Sequence, residues 1–308
     1  MNKNSMLSLI MAAPAFLLCF VVRYFQVSAG TDMETGFLYN ENGFLMNFSF
    51  YGILIIVFAA AIVLGILDKK KAGAFYSNEI SGFIDRKAVM LGFPLVLAGV
   101  LAAYEGYVQT SALTPSGFLI FVDFLLGAAM LIQGFVILYK KEVTPVIGFS
   151  LVIPAIYYTM RGIAVFIDKM AVASVPEYLI ECLHIIGSAV FFMMVAKLLS
   201  GNEGKNTRLA ITAVGVTTSV MTLASAFATL FADIIDPEGV GSRIVDSSVA
   251  AEKAAQALFQ KNLSGYHLSY TPWVDVAIAV CMILTLVALY MKNKPVAAVE
   301  EASADEEI

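Results

Sequence analysis

FSFYGILIIVFAAAIVLGIL, residues 48–67, decides the class of fold, because it contains no Asp, Glu, Lys, Arg or His over a length that matches the hydrocarbon core of a bilayer. A helix rises about 1.5 Å per residue, so about 20 apolar residues cross roughly 30 Å of hydrocarbon. The whole chain is similar in character, with 59% hydrophobic residues, 14% charged residues and a mean hydropathy of +0.82. This composition predicts a membrane protein with several spans.

Seven further apolar runs of similar length lie along the chain. The eight predicted spans cover residues 6–25, 48–67, 88–108, 118–139, 145–167, 177–199, 208–235 and 272–291. Backbone polar groups in lipid must be satisfied within a helix or a closed barrel, and these runs lack the alternation of barrel strands. We therefore expect an all-α polytopic bundle that forms a single transmembrane domain over residues 1–294. The sequence contains no convincing internal repeat, so it does not support an inverted-repeat transporter.

The distribution of Lys and Arg predicts how the bundle is oriented. Basic residues concentrate after the second, fourth, sixth and eighth spans: Lys69, Lys70, Lys71, Arg86, Lys87, Lys140, Lys141, Lys205, Arg208, Lys292 and Lys294. The opposite loops hold fewer, and residues 26–47 hold none. The positive-inside rule therefore predicts that both termini are cytoplasmic.

Three segments outside the spans have a character of their own. Val27-Ser28-Ala29 resembles a signal-peptidase site, although the long apolar run before it and Arg23 favour an uncleaved span. Residues 249–263 show near-helical apolar spacing, which predicts a short amphipathic helix in the last external loop. Residues 295–308 are acidic at their end, and we expect a disordered cytoplasmic tail there.

Charge and motif content exclude several classes of function. The net charge of −5 and the absence of a clustered basic face argue against a nucleic-acid partner. Three cysteines inside apolar runs, with no CxxC pair, argue against a disulfide framework or a zinc ribbon. The chain has no phosphate-binding loop, Gly-x-Ser-x-Gly elbow, His-Glu-x-x-His motif or dinucleotide fingerprint. We therefore predict no cofactor, and an enzyme is disfavoured.

Ionisable residues interrupt seven of the eight spans. They are Arg23, Glu105, Asp123, Arg161, Glu181, His184, Asp233 and Asp275. They come late in the outward-running spans and early in the inward-running ones, so all lie roughly 3–12 Å below the external boundary. Charge at this depth faces a protein interior or water, which predicts one outward-facing polar pocket. Arg23, Asp233 and Asp275 are assigned instead to the boundary, where they reach external water.

The fifth span carries the strongest candidate for ligand binding. Arg161 follows Tyr157 by four residues and Tyr158 by three, so a guanidinium and phenols share a helical face. A buried Arg needs an acidic partner, which Glu105 or Asp123 could supply. Arg161 either binds an anionic group of a small molecule or only pairs helices. The predicted ligand-binding residues are Arg161, Glu105, Asp123, Glu181, His184, Tyr157, Tyr158 and Tyr104.

The sixth span contains a Glu-x-x-His motif. Glu181 and His184 share one helical face and form half of a di-iron carboxylate motif, which requires a second copy. His267, the only other histidine, lies in the last external loop. The pair could hold a mononuclear metal with a further carboxylate, or could be a hydrogen-bonded pair that joins helices. We predict no metal.

Several strings resemble a group of multi-pass membrane proteins of Gram-positive, clostridia-like bacteria. They are Arg23-Tyr24-Phe25-Gln26 with Thr35-Gly36-Phe37, and Met160-Arg161-Gly162 leading through Phe166 to Phe191-Phe192 and Ser200-Gly201. The resemblance spans much of the chain. It implies a bacterial plasma membrane and nothing about chemistry.

Three functional hypotheses follow. The first is a membrane protein whose outward-facing pocket binds a small molecule or ion from the external side, in sensing or uptake. The second is a structural or assembly protein whose charges only pair helices. The third is an intramembrane enzyme that uses Glu181 and His184. The lipid bilayer is a partner in all three.

Overall fold

The computed structural model describes residues 3–26, 41–72, 84–110, 117–169, 176–202, 206–235 and 272–290. Within these ranges 94% of the residues are helical and there is no strand. The helices are α1 (Lys3–Phe25), α2 (Glu41–Ala72), α3 (Arg86–Thr110), α4 (Gly117–Lys140), α5 (Pro145–Ser150), α6 (Val152–Lys169), α7 (Pro176–Leu199), α8 (Thr207–Ile235) and α9 (Pro272–Tyr290). The predicted loop helix at 249–263, the tail at 295–308 and the motif at 27–29 lie outside the described residues.

Eight stretches of these helices are long and apolar enough to cross a membrane. They are Leu7–Phe25, Phe44–Leu67, Arg86–Tyr107, Gly117–Lys140, Pro145–Ala164, Leu179–Leu199, Thr207–Ala228 and Trp273–Tyr290. The fifth stretch combines α5 and α6. This confirms the predicted all-α bundle with eight spans.

Apolar side chains cover the outside of the bundle as well as its interior. On α3, Val89, Phe93, Leu97, Val100 and Tyr104 are exposed and lie on one face at helical spacing. The opposite face is buried and consists of small and branched apolar residues: Ala88, Leu91, Leu95, Ala98 and Ala102. An exposed apolar surface of this kind requires lipid instead of water around it. The protein is therefore an integral, multi-pass membrane protein.

Helix α8 lies at the centre of the packing. It packs against α1, α2, α7 and α9, while α3 packs against α4 and α9, and α6 packs against α4 and α7. The α8 span is 72% buried, compared with 22% for the α1 span. The side chains of α8, α7 and α9 therefore form much of the bundle interior.

Glycines bring α3 and α4 into backbone contact along a seam. A Cβ at Gly99 would lie 2.6 Å from the Leu131 nitrogen and 2.7 Å from the Gly127 carbonyl oxygen, so no larger residue fits. Gly92, Gly99 and Gly106 recur every seven residues on α3, and Gly127 and Gly134 do so on α4. Small residues at such spacing allow close helix packing in membranes. The seam also fixes the level at which α3 and α4 present their acidic residues.

The fifth span differs from its prediction, because the single helix expected over residues 145–167 is broken at Leu151. Pro154 accounts for the break. It has no N–H to donate to the carbonyl of Ser150, and its ring excludes that carbonyl from the usual helical position. Helix α6 therefore begins anew at Val152.

One end of the bundle gathers the basic residues. Arg86 and Lys87 begin α3, Lys140 ends α4, and the backbone nitrogen of Asp85 donates to the Lys141 carbonyl at 2.7 Å. Most of the intramembrane charges lie toward the opposite end, as the sequence predicts. The side of the membrane that each end faces stays a prediction.

Candidate functional site

Arg161 lies inside the bundle with only 2% of its surface exposed. Its Nη1 atom is 3.5 Å from Oδ1 of Asp275, and its Nη2 atom is 3.9 Å from Oε1 of Glu181. A guanidinium on α6 thus has carboxylates from α9 and α7 beside it. Such pairing offsets part of the cost of removing the charges from water.

Asp275 is the point at which the polar contacts converge. Its Oδ1 atom accepts a hydrogen bond from the Tyr158 hydroxyl at 3.1 Å and lies 3.2 Å from Nε2 of His184, in addition to its contact with Arg161. These donors come from α6 and α7. The carboxyl therefore has three polar partners within one interior site.

The assignment of Asp275 to the boundary is wrong. Only 3% of the residue is exposed, whereas Trp273, two positions earlier, is 55% exposed. The assignment used depth alone, and depth does not tell which face of a helix a residue occupies. Asp275 lies on the inner face of α9 with Val274 and Ile278, both of which are buried.

Two consecutive tyrosines of α6 connect it to different helices. The Tyr157 hydroxyl donates to Oδ1 of Asp123 at 3.1 Å, while Tyr158 donates to Asp275. Consecutive residues of a helix point about 100° apart, so one tyrosine reaches α4 and the other reaches α9. Their rings meet edge to face, with centroids 5.3 Å apart, and both side chains are fully buried.

Glu105 and Asp123, predicted as acidic partners of Arg161, are both buried with 2% of their surface exposed. Each interacts electrostatically with Arg161. The α3–α4 seam brings the two helices together at this level, since a Cβ on Gly106, next to Glu105, would lie 3.1 Å from Cβ of Asp123. Glu105, Asp123, Arg161, Glu181, His184 and Asp275 are termed the charged cluster below.

The Glu-x-x-His motif contributes both of its side chains to the charged cluster. Glu181 lies beside Arg161, whereas His184 lies beside Asp275 and meets the Tyr158 ring edge to face at 5.8 Å. Both residues therefore connect α7 to other helices. Within the described part of the chain, no group of three or more His, Cys, Asp or Glu side chains is arranged to hold a metal ion.

Tyr104 does not join the other predicted residues. It is 63% exposed on the outer stripe of α3, although its neighbour Glu105 points inward. The two side chains diverge by about 100° because they are consecutive in a helix. Tyr104 is therefore placed toward lipid, which corrects its predicted position in the lining of the pocket.

Arg23 also departs from its predicted position at the boundary. It is fully buried, its Nη1 atom donates to Oε1 of Gln26 at 2.8 Å, and Nε2 of Gln26 donates to Oδ1 of Asn47 at 3.2 Å. This polar group joins α1 to α2 instead of reaching water. For Asp233, the side chain lies outside what the structure describes.

The charged cluster contains more acidic than basic groups. Its described members supply four carboxyl groups, one guanidinium and one imidazole. If every carboxyl were ionised, the negative charges would exceed the positive ones even with the imidazole protonated. Excess charge in a medium of low dielectric costs several kcal/mol, on the order of that for any unpaired buried ion. The arrangement therefore favours the binding of a positively charged species, a proton or a cation, to the charged cluster.

No protein-family model matches the chain, and neither a curated protein nor a solved structure matches it. The resemblance to membrane proteins of clostridia-like bacteria stays a prediction. Function must therefore be inferred from the chemistry of the charged cluster.

Proposed function

We propose that the protein binds and releases a proton at the charged cluster, and that this exchange serves the uptake or sensing of a small molecule or ion. In this proposal it lies in a bacterial plasma membrane with both termini in the cytoplasm. The observation that carries it is the presence of four buried carboxyl groups around Arg161. Intramembrane Asp, Glu and His groups commonly serve proton transfer in membrane proteins.

The geometry around Arg161 disfavours the anionic ligand considered from the sequence. Asp275 hydrogen-bonds the guanidinium, and Glu181 lies 3.9 Å from it. An anion would have to displace one of these carboxylates and would add to the existing negative excess. A proton relieves that excess and needs only one carboxyl oxygen.

A metal cation is a weaker candidate than a proton. The described residues contain no set of three ligands arranged for a metal ion. Oδ1 of Asp275 already accepts hydrogen bonds from Tyr158 and Arg161, so a cation that bound this oxygen would have to compete with both donors. Proton binding requires no rearrangement of this kind.

Glu105 and Asp123 are the proposed carriers of the proton. Asp275 receives hydrogen bonds from Tyr158 and Arg161 and lies beside His184, which favours its ionised form. Asp123 accepts a hydrogen bond from a neutral donor, Tyr157, and shares the α3–α4 seam with Glu105. Two carboxyl groups in one buried site tend to share a proton.

Infrared difference spectra of the purified protein in acidic and alkaline buffer test this proposal. We expect the C=O stretch of a protonated carboxylic acid in acid, its loss in alkali, and its reduction in Asp123→Asn and Glu105→Gln. Glu142→Gln is the matched control, since Glu142 is exposed at the basic end of the bundle. A carboxylic acid signal that falls no further in Asp123→Asn and Glu105→Gln than in Glu142→Gln would overturn the proposal.

Proteoliposomes that contain a pH-sensitive dye separate uptake from sensing. An uptake protein moves protons when a candidate solute gradient is imposed, and Asp123→Asn abolishes that movement. A sensor binds the proton without moving it across the membrane. Both results agree with proton binding, and the infrared experiment decides whether binding occurs.

A structural role is the second candidate, because the contacts of the charged cluster join four helices. Tyr157 and Asp123 join α6 to α4, Arg161 and Glu181 join α6 to α7, and Tyr158 and Asp275 join α6 to α9. A purely structural cluster predicts lower thermal stability in its variants and a carboxylic acid signal that Asp123→Asn and Glu105→Gln leave unchanged.

A further inference from the structure

Several hydroxyl groups inside the bundle lack a hydrogen-bond partner among the described residues. Three of them belong to Ser188 on α7 and to Ser219 and Thr222 on α8, which are 0%, 1% and 2% exposed. Thr212 and Thr285 behave differently, because each donates to the carbonyl four residues earlier, at 2.8 and 2.7 Å. Buried polar groups are nearly always paired, so the three hydroxyls call for partners such as water.

Ser188 lies on the same face of α7 as two members of the charged cluster. Glu181, His184 and Ser188 are spaced at i, i+3 and i+7, which places their side chains along one line. All three are at most 3% exposed. The polar face of α7 thus extends one turn beyond His184 into the bundle.

The hydroxyls of α8 lie at the corresponding level. Thr218 packs directly against Gly187, where a Cβ would collide with the threonine hydroxyl. Because α7 and α8 run antiparallel, this contact places Ser219 about 3 Å nearer the charged cluster than Ser188, and Thr222 at about the level of His184. Ser219 and Thr222 are three residues apart and share a helical face.

The row of hydroxyls on α7 and α8 ends at an apolar contact. Phe191 is fully buried one turn beyond Ser188, and a Cβ on Gly215 would lie 2.6 Å from its ring and 3.1 Å from Cδ1 of Leu286. The ring therefore fills the space between α7, α8 and α9. Beyond it, the hydroxyls of Thr212 and Tyr290 hydrogen-bond to each other near the basic end.

We propose that Ser188, Ser219 and Thr222 line a water-filled column that runs from the charged cluster into the bundle and ends at Phe191. Water satisfies the three hydroxyls and exchanges protons with the carboxyl groups of the charged cluster. The transfer of protons rests on the proposed function, whereas the presence of water does not. Sites with several polar partners are those that hold buried water.

Cysteine labelling of the full chain tests for water in the column. In a background in which Cys19, Cys182 and Cys281 are replaced by Ala, Ser219→Cys and Thr222→Cys are compared with Val220→Cys. Val220 is the matched control, since it lies at the same depth of α8 and is 2% exposed among apolar residues. The probe is 2-aminoethyl methanethiosulfonate, which reacts with thiolates that water can reach. We expect at least roughly tenfold faster labelling at positions 219 and 222 than at 220.

Equal labelling rates at the three positions in folded protein would overturn the column. A second measurement avoids dependence on cysteine variants, because removal of a dry, unpaired hydroxyl stabilises a protein. A hydrated Ser219 therefore predicts an unchanged or lower Tm in Ser219→Ala, and a raised Tm contradicts it. Labelling reports on water while infrared spectra report on the proton of Glu105 and Asp123, so the failures of the two proposals are distinguishable.

Discussion

His184 and Asp275 meet with 3.2 Å between Nε2 and Oδ1, although they lie on α7 and α9. Helix α9 packs its backbone closely on α3 and α8, and the closely packed pairs do not include α6 with α9 or α7 with α9. Polar side chains therefore span a central space that the backbones leave open. The stability of this region depends on the Asp275 carboxyl, which is the group that the partners from α6 and α7 share.

Asp275→Asn is expected to destabilise the protein by about 1.5–3 kcal/mol, because a neutral amide replaces the carboxylate that Tyr158, Arg161 and His184 share, while Glu181 stays beside Arg161. Thermal unfolding of the purified protein in detergent measures the change. Glu142→Gln serves as the control, since it removes an exposed carboxyl outside the charged cluster. An Asp275→Asn variant that unfolds at the same temperature as the control contradicts this role.

The effects of Arg161→Met and Asp275→Leu on the free energy of unfolding are expected to be coupled. Arg161→Met leaves the Asp275 carboxyl without its guanidinium partner, and Asp275→Leu leaves the guanidinium without that carboxyl. The double variant has apolar side chains at both positions. The double variant should therefore be less destabilised than the sum of the singles, by roughly 0.5–3 kcal/mol. A double-mutant cycle of unfolding free energies gives this value, and strict additivity argues against direct pairing.

The tyrosine hydroxyls provide a test with small perturbations. Tyr157→Phe and Tyr158→Phe each remove a hydrogen bond to a carboxyl group and should cost about 1.5–3 kcal/mol. Tyr104→Phe removes a hydroxyl from the exposed outer stripe of α3 and should change stability by no more than about 0.5 kcal/mol. Unfolding free energies compare the three variants. Equal changes in unfolding free energy in the three variants would show that the buried hydroxyls of Tyr157 and Tyr158 contribute no more to stability than the exposed hydroxyl of Tyr104.

Gly99→Ala tests the α3–α4 seam, because a Cβ there would meet backbone atoms of α4 at 2.6 and 2.7 Å. Overpacking of this kind costs about 1–3 kcal/mol, and the backbone cannot yield as a flexible side chain does. Gly52→Ala is a matched control in α2, since no atom lies within 4 Å of its Cβ position and Ala favours helix. The Tm should fall in the first variant and hold or rise in the second.

Hydropathy predicted the spans closely because helix length and lipid thickness are tied by simple geometry. It also predicted that the intramembrane charges gather at one level. The sequence predicted less well which face of each helix points into the bundle, as Tyr104 and Glu105 illustrate. Both occupy the same depth, yet one is exposed and the other buried. Depth alone likewise failed for Asp275, whose contacts come from helices distant in sequence.

The sequence indicates only weakly the hydroxyls that line the proposed column and the break at Leu151. Ser and Thr occur throughout membrane helices and commonly hydrogen-bond their own backbone, so Ser219 and Thr222 did not stand out. For Leu151, the signal was present in Pro154, but hydropathy treats a proline as one apolar position among many. For the fully buried Arg23, its partner Gln26 contacts Asn47, and that contact depends on how α1 meets α2, which sequence periodicity does not specify.

The glycine seam between α3 and α4 has a consequence for biosynthesis. Two helices that fit backbone to backbone can enter the bilayer as one antiparallel hairpin, and the chain emerges with its N-terminal part first. Glu105 and Asp123 then reach lipid before Arg161 does. Because lone carboxylates are costly there, we expect the hairpin to insert with neutral carboxylic acids. The ion pairs of the charged cluster then form only when α6 and α9 arrive.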